Sequence, residues 1–191
     1  MQATARRLSV VSATSCARRR LIRDVRPTNS VTRAIMTIND LTVNISHLDR
    51  ETLLSDWQWL IGTTKFPVLA TLAGDAFVQD STDGSVHFLD VVEGTCTEIA
   101  SDGASFQQLL GDREFVMRHL SVQLVAPLIR AGTLPAGQIF SWRQPPVLGG
   151  PYSAENLEPT DLSVHFSMLG QIWQQAARLP EGTQIGSVTI Q

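Results

Sequence analysis

The segment from residue 65 to residue 100 constrains the fold most. Short apolar runs alternate there with turn formers: Gly74-Asp75, then Asp80-Ser81-Thr82-Asp83-Gly84, then Glu93-Gly94. Connections this short join antiparallel neighbours, because a parallel crossover needs a dozen residues or more. The pattern predicts a β-meander with strands at 68–72, 76–79, 85–92 and 95–100. Asp83-Gly84 is the strongest hairpin signal among these turns. In 85–92, Val86 and Phe88 alternate with Leu89 and Val91. Apolar side chains on both faces predict a strand in the interior of the sheet.

Helical periods flank the meander. Leu53, Leu54, Trp57, Leu60 and Ile61 lie on one helical face and predict a helix over 48–61. Asp49 is its candidate N-cap and Gly62 its stop. A second helix is predicted from about Ala104, with Phe106, Leu109 and Leu110 inward. Phe115, Met117, Leu120, Leu124 and Leu128 continue the spacing. Pro127 lacks an N–H, so this stretch is predicted to kink or end near Val125. A strand at 138–142 precedes an irregular loop, Gln144-Pro145-Pro146-Val147-Leu148-Gly149-Gly150-Pro151-Tyr152. The last helix is predicted over 161–178, with Gly170 as a weak point, and an edge strand over 185–190. Helix, meander, helices, strand and helix make an α+β fold: an antiparallel meander sheet packed with several helices.

The chain of 191 residues has a formal net charge of −3, which conceals a division. Residues 1–35 hold eight Arg and one acid, whereas residues 36–191 hold seven basic and seventeen acidic residues. The Arg-rich arm has no sustained apolar period and is predicted to be disordered. It fits a transit-like segment, a nucleic-acid-binding tail, or sequence upstream of a true start at Met36. Residues 36–191 are predicted to form one domain with a net charge of −10. No apolar run reaches the ~20 residues of a membrane-spanning helix. Two cysteines, Cys16 and Cys96, exclude a disulfide scaffold.

Catalytic motifs are sparse. His47, His87, His119 and His165 are far apart in sequence and form no zinc pair. Asp161 stands four residues before His165, a spacing that suits either an oriented base or a capping acid beside a boundary histidine. Cys96 lies in a predicted strand without a basic neighbour to activate it, as expected of an inert buried thiol. Asp80, Asp83 and Asp90 lack the alternation of a calcium loop. The glycine-rich phosphate motifs and the nucleophile elbow are absent, so no metal and no cofactor is expected. One lysine and six arginines in the body disfavour nucleic-acid binding, while its acidity favours a basic protein partner.

Several stretches resemble one family. They are Gly74-Asp75-Ala76-Phe77-Val78-Gln79-Asp80, Gly84-Ser85-Val86-His87-Phe88-Leu89-Asp90 and Phe106-Gln107-Gln108-Leu109-Leu110. Further along come Trp142-Arg143-Gln144-Pro145-Pro146-Val147-Leu148-Gly149-Gly150 and Asn156-Leu157-Glu158-Pro159-Thr160-Asp161-Leu162-Ser163-Val164-His165. Leu169-Gly170-Gln171-Ile172 and Leu179-Pro180-Glu181-Gly182-Thr183 complete the set. Together they resemble the C-terminal domain of bacterial type VI secretion immunity proteins against DNase toxins, a domain often found beside a GAD-like domain. The resemblance covers about residues 70–186 and leaves out the arm. It implies a non-enzymatic cytoplasmic protein that binds and neutralises a cognate toxin. The basic cleft of a nuclease would suit the acidic body.

The candidate partner interface is the irregular loop and its flanks: Trp142, Pro145, Pro146, Tyr152, Glu155, Glu158 and Asp161. The same loop could instead plug the core with Trp142 buried. A general interaction or regulatory module, and a small-molecule or catalytic domain using Asp161 and His165, are the alternatives.

Overall fold

A computed structural model describes residues 36–132, 134–180, 183, 185 and 188–190. The expectations for residues 1–35 lie outside these residues, as do positions 186 and 187 of the expected edge strand.

The meander forms as its turns dictate. β1 (Thr42–Val43), β2 (Lys65–Thr71), β3 (Ala76–Asp80), β4 (Val86–Asp90) and β5 (Thr95–Ala100) build one antiparallel sheet in the order β1-β2-β3-β4-β5. The expected interior strand is β4, between β3 and β5. Turn carboxylates satisfy the backbone where the ladder stops. Asp83 accepts the Ser85 N–H at 2.9 Å, and Asp90 accepts those of Val92 at 2.9 Å and Glu93 at 3.0 Å. Asp80 accepts the Thr82 N–H at 2.9 Å and pairs with Lys65 at 3.0 Å. Consecutive residues Ala76, Phe77 and Val78 are all buried, so both faces of β3 are covered. Phe77 packs on Phe88, Phe106 and Phe115, with centroids 5.1, 4.9 and 6.1 Å away.

The helical stretches break more often than their periodicity predicts. The expected helix over 48–61 divides into α1 (Arg50–Leu53), a 3-10 turn (Ser55–Trp57) and α2 (Gln58–Ile61). Asp49 does cap it, and Gly62 does end it with φ 77°. The break at Leu54 accompanies the seating of fully buried Trp57, whose Nε1–H donates to the Phe166 carbonyl at 2.9 Å. Downstream come α3 (Gly103–Leu110), α4 (Arg113–His119) and α5 (Val122–Ala131). Asp102 and Asp112 cap the first two through the N–H groups of Ser105 and Phe115. Pro127 does not end a helix near Val125 but lies inside α5. The carbonyl it deprives of a partner belongs to exposed Gln123, where solvent can satisfy it. The break falls earlier, at Ser121, whose φ is 46°.

β6 (Gln138–Trp142) appears as expected, and β7 (Leu157–Asp161) pairs with it as a second antiparallel sheet. Pro159 concealed β7, since proline is confined to the edges of sheets. The Phe140 N–H donates to the Leu72 carbonyl at 2.8 Å and ties β6 to the end of β2. α6 (Leu162–Ala176) then buries Leu162, Phe166, Leu169 and Ile172. Gly170 in α6 is a packing requirement, because a Cβ there would strike the backbone of Asp56. Of the expected edge strand, Thr189 is held by the side-chain amide of Gln175, at 2.8 and 3.2 Å. Among the described residues, no helix is long and apolar enough to cross a membrane.

Candidate functional site

The residues expected at an interface separate into two groups. Trp142 is 2% exposed at the end of β6, and Pro145 is also buried. Pro146 is half-buried. Tyr152, Glu155, Glu158 and Asp161 are exposed. The loop is pinned at both ends by Asn156. The Asn156 side chain donates to the carbonyls of Gln144 and Pro151 at 2.8 and 2.9 Å and accepts the Gln144 N–H at 3.2 Å. Glu158 pairs with Arg143 at 3.3 Å on the surface. The Glu155 carboxyl is held below its ordinary range by its own backbone N–H and the Ser153 hydroxyl.

Asp161 and His165 do not form an acid–base pair. Asp161 caps α6, accepting the N–H groups of Ser163 at 2.8 Å and Val164 at 3.3 Å. His165 is fully buried and turns instead to Ser141 Oγ at 2.7 Å and the Gly74 carbonyl at 3.1 Å. A carbonyl only accepts, so Nε2 carries the proton and Nδ1 accepts from Ser141. Burial pushes the imidazole down to about 4, partly opposed by the Gly74 carbonyl. It is neutral near pH 7 and has both nitrogens occupied. Gly74 has φ 94°, and a Cβ there would run into the imidazole. Cys96 is half-buried on β5, and burial pushes its thiol up, consistent with the inert thiol expected.

The polar groups that converge lie next to Ser141 and Gly74 in the chain, at Trp142 and Asp75. Trp142 lines a cleft of about 190 Å³ with Asp75, Asp90, Glu93, Arg118 and Tyr152. Asp75 comes from the β2–β3 turn, Asp90 from the end of β4 and Glu93 from the turn before β5. Arg118 comes from the last turn of α4. The Trp142 and Tyr152 rings stand 5.2 Å apart and make an aromatic wall.

Three features of this cleft are energetically unusual. The Trp142 Nε1–H is buried without an acceptor among the described residues. Asp75 is 4% exposed, and its Oδ1 accepts the Val91 N–H at 3.1 Å. Burial first, and Asp90 second, push its carboxyl well above the ordinary range, against the Val91 N–H. Ser121, also in the lining, has a left-handed backbone that disfavours any side chain. Its hydroxyl lies near the Tyr152 phenol and lowers it. Partial burial raises that phenol, and the charges of Asp75, Asp90 and Glu93 add to the effect.

Arg118 is exposed and has no ion-pair partner among the described residues. Among the described residues, no His or Cys lines the cleft. Among the described residues, no three His, Cys, Asp or Glu side chains form a set able to hold a metal. The arrangement can hold a group that is positively charged, flat enough for the aromatic wall, and accompanied by an acceptor. Sequence reasoning singled out Trp142 and Tyr152 but missed Asp75, Glu93, Arg118 and Ser121 as members of one site. The turn signals at Gly74-Asp75 and Glu93-Gly94 marked two of these positions without linking them.

Residues 100–173 match the family described as T6SS immunity protein Tdi1, C-terminal. This stretch runs from the end of β5 into α6. It includes Arg118, Ser121, Trp142 and Tyr152, and excludes Asp75, Asp90 and Glu93. The solved structure of Atu4351 from Agrobacterium tumefaciens is similar over 64% of this chain and 64% of that chain, with 17% identity and a TM-score of 0.45. No curated protein matches the sequence significantly.

Proposed function

We propose that this chain, whose residues 100–173 belong to the C-terminal domain family of the T6SS immunity protein Tdi1, is itself an immunity protein that binds a cognate effector of a type VI secretion system. The family match carries this reading. The effector is a nuclease, and inhibition is by occupation in the cytoplasm, without chemistry. The acidity of residues 36–191 supports a nuclease partner, since a protein that grips phosphates presents a basic cleft. Steering between opposite charges also speeds capture of the toxin before it reaches DNA.

Co-expression with the effector encoded beside this gene tests the reading. Growth is expected to be rescued, degradation of cellular DNA to stop, and a stable complex to be recovered. Rescue is expected to scale with the molar ratio of the two proteins, as occupation requires. A toxic neighbour that is neither bound nor neutralised overturns the reading. Rescue by a small fraction of an equivalent overturns inhibition by occupation.

A further inference from the structure

We propose that the cleft between Asp75, Asp90, Glu93, Arg118, Trp142 and Tyr152 receives a single lysine or arginine side chain of the cognate effector. The inference rests on the immunity reading above.

Size selects the guest first. The cleft, about 190 Å³, is smaller than the roughly 300–1,000 Å³ of an ordinary small-molecule pocket. That is room for the end of one long side chain and too little for a helix or strand. Charge selects it second. Three carboxylates, Asp75 from the β2–β3 turn and Asp90 and Glu93 from the β4–β5 connection, face this small space, against one arginine. Asp75 and Asp90 repel one another when both are ionised, and a cation placed between them removes that repulsion. The exposed Tyr152 ring, 5.2 Å from that of Trp142, can receive an ammonium or guanidinium group on its open face.

The unbonded groups complete the description. Asp75 is almost fully buried, yet only its Oδ1 is hydrogen bonded among the described residues. Its Oδ2 is an acceptor awaiting a donor. Exposed Arg118, with no ion-pair partner among the described residues, is a donor awaiting an acceptor. A basic residue within a polypeptide brings both, a charged donor at its tip and a main-chain carbonyl at its base. A bare metal ion brings only charge, and the carboxylates are not arranged as its ligands. A nucleic-acid phosphate would meet three carboxylates. Polar groups left without protein partners in the free protein and paired in a complex are what a binding hot spot contains.

The test measures affinity of the full chain for the effector encoded beside its gene, using an inactive effector variant, and thermal stability of each free protein. Glu93→Arg places a cation at the mouth of the cleft from an exposed turn. It is expected to weaken the complex at least hundredfold with Tm unchanged. Asp75→Asn keeps an acceptor for the Val91 N–H but removes the charge. It is expected to raise Tm and weaken the complex about tenfold, two effects of opposite sign that a merely structural residue would not produce. Glu98→Arg makes the same change in net charge as Glu93→Arg. Glu98 faces His87 on the ladder, three pairs from Asp90. Its complex is expected to stay within about twofold of the unsubstituted one. If the unsubstituted protein binds the effector and all three variants bind equally, the cleft assignment falls while the immunity reading stands. If Glu98→Arg weakens binding as much as Glu93→Arg, the effect is general steering and the assignment also falls. If the unsubstituted protein does not bind the effector, both readings fall together.

Discussion

Two dipeptides, Gly74-Asp75 and Ser141-Trp142, each serve two buried polar regions. Gly74 and Ser141 turn to His165, which bonds both of them. Asp75 and Trp142 line the cleft; among the described residues the buried indole N–H has no acceptor, and only one oxygen of the Asp75 carboxyl accepts a hydrogen bond. Successive strand residues point to opposite faces, so a shift of one position along β6 separates the satisfied region from the unsatisfied one. The two differ in completeness rather than in depth. A buried polar group with its partners rigidifies a fold, whereas one without them costs stability. Such a cost persists where another function requires it.

The largest effect is expected from breaking the satisfied region. His165→Ala strands the Ser141 hydroxyl and the Gly74 carbonyl and opens a cavity. A loss of about 4 kcal/mol follows. Thermal denaturation should show Tm falling by roughly 10 °C. A fall of only ~2 °C would mean that the histidine is replaceable by solvent.

The pH response comes next. His165 is held at about 4 in the folded chain, against 6.5 ordinarily. Between these values the unfolded chain takes up a proton that the folded chain refuses. The stability present above pH 6.5 is therefore lost as pH falls towards 4, by roughly 3 kcal/mol. Asp75 acts with the opposite sign. Its folded carboxyl is raised, so its penalty is present at high pH and relieved as pH falls through the raised value towards 3.8. Denaturant titrations between about pH 7 and pH 4 are expected to show a steeper acid loss in Asp75→Asn than in the unsubstituted protein. A shallower loss would reverse the assignment of the two groups.

Asp75→Asn near neutral pH is expected to raise Tm by about 3 °C, the shift produced by about 1 kcal/mol in a chain of this size. A lower Tm would show that the carboxylate stabilises the cleft after all. Ser121→Gly is the smallest change. It relieves a left-handed backbone at about 1 kcal/mol but adds chain entropy and loses the Tyr152 contact. Tm is expected to move by no more than ~2 °C, and a larger fall would show that the hydroxyl contact outweighs the relief of backbone strain.

Much of the fold was legible because it rests on local rules. The acid-glycine turns at 74–75, 83–84 and 93–94 marked the meander, and Asp49 was identified as a cap from its place before the apolar period. Asp161 fitted a capping acid as well as an oriented base, and the cap at α6 is what forms. The breaks at Leu54 and Ser121 were not legible, since each depends on what the chain packs against. β7 escaped because Pro159 argues against a strand except at an edge, and edge position is a property of the assembled sheet. At the candidate site, Trp142 and Tyr152 stood out by residue type, while Asp75 and Glu93 passed as ordinary turn residues.

What the sequence determined by itself is the α+β order, the meander, and the acidity of residues 36–191. Periodicity, turn chemistry and charge act over a few residues or add up without regard to position. Tertiary structure alone decided which polar groups are satisfied. Hydrogen-bond partners such as Gly74 and His165 lie far apart in the chain, and burial is set by the whole assembly. The same is true of the cleft, where Asp75, Arg118 and Trp142 meet only once a turn, a helix end and a strand have packed.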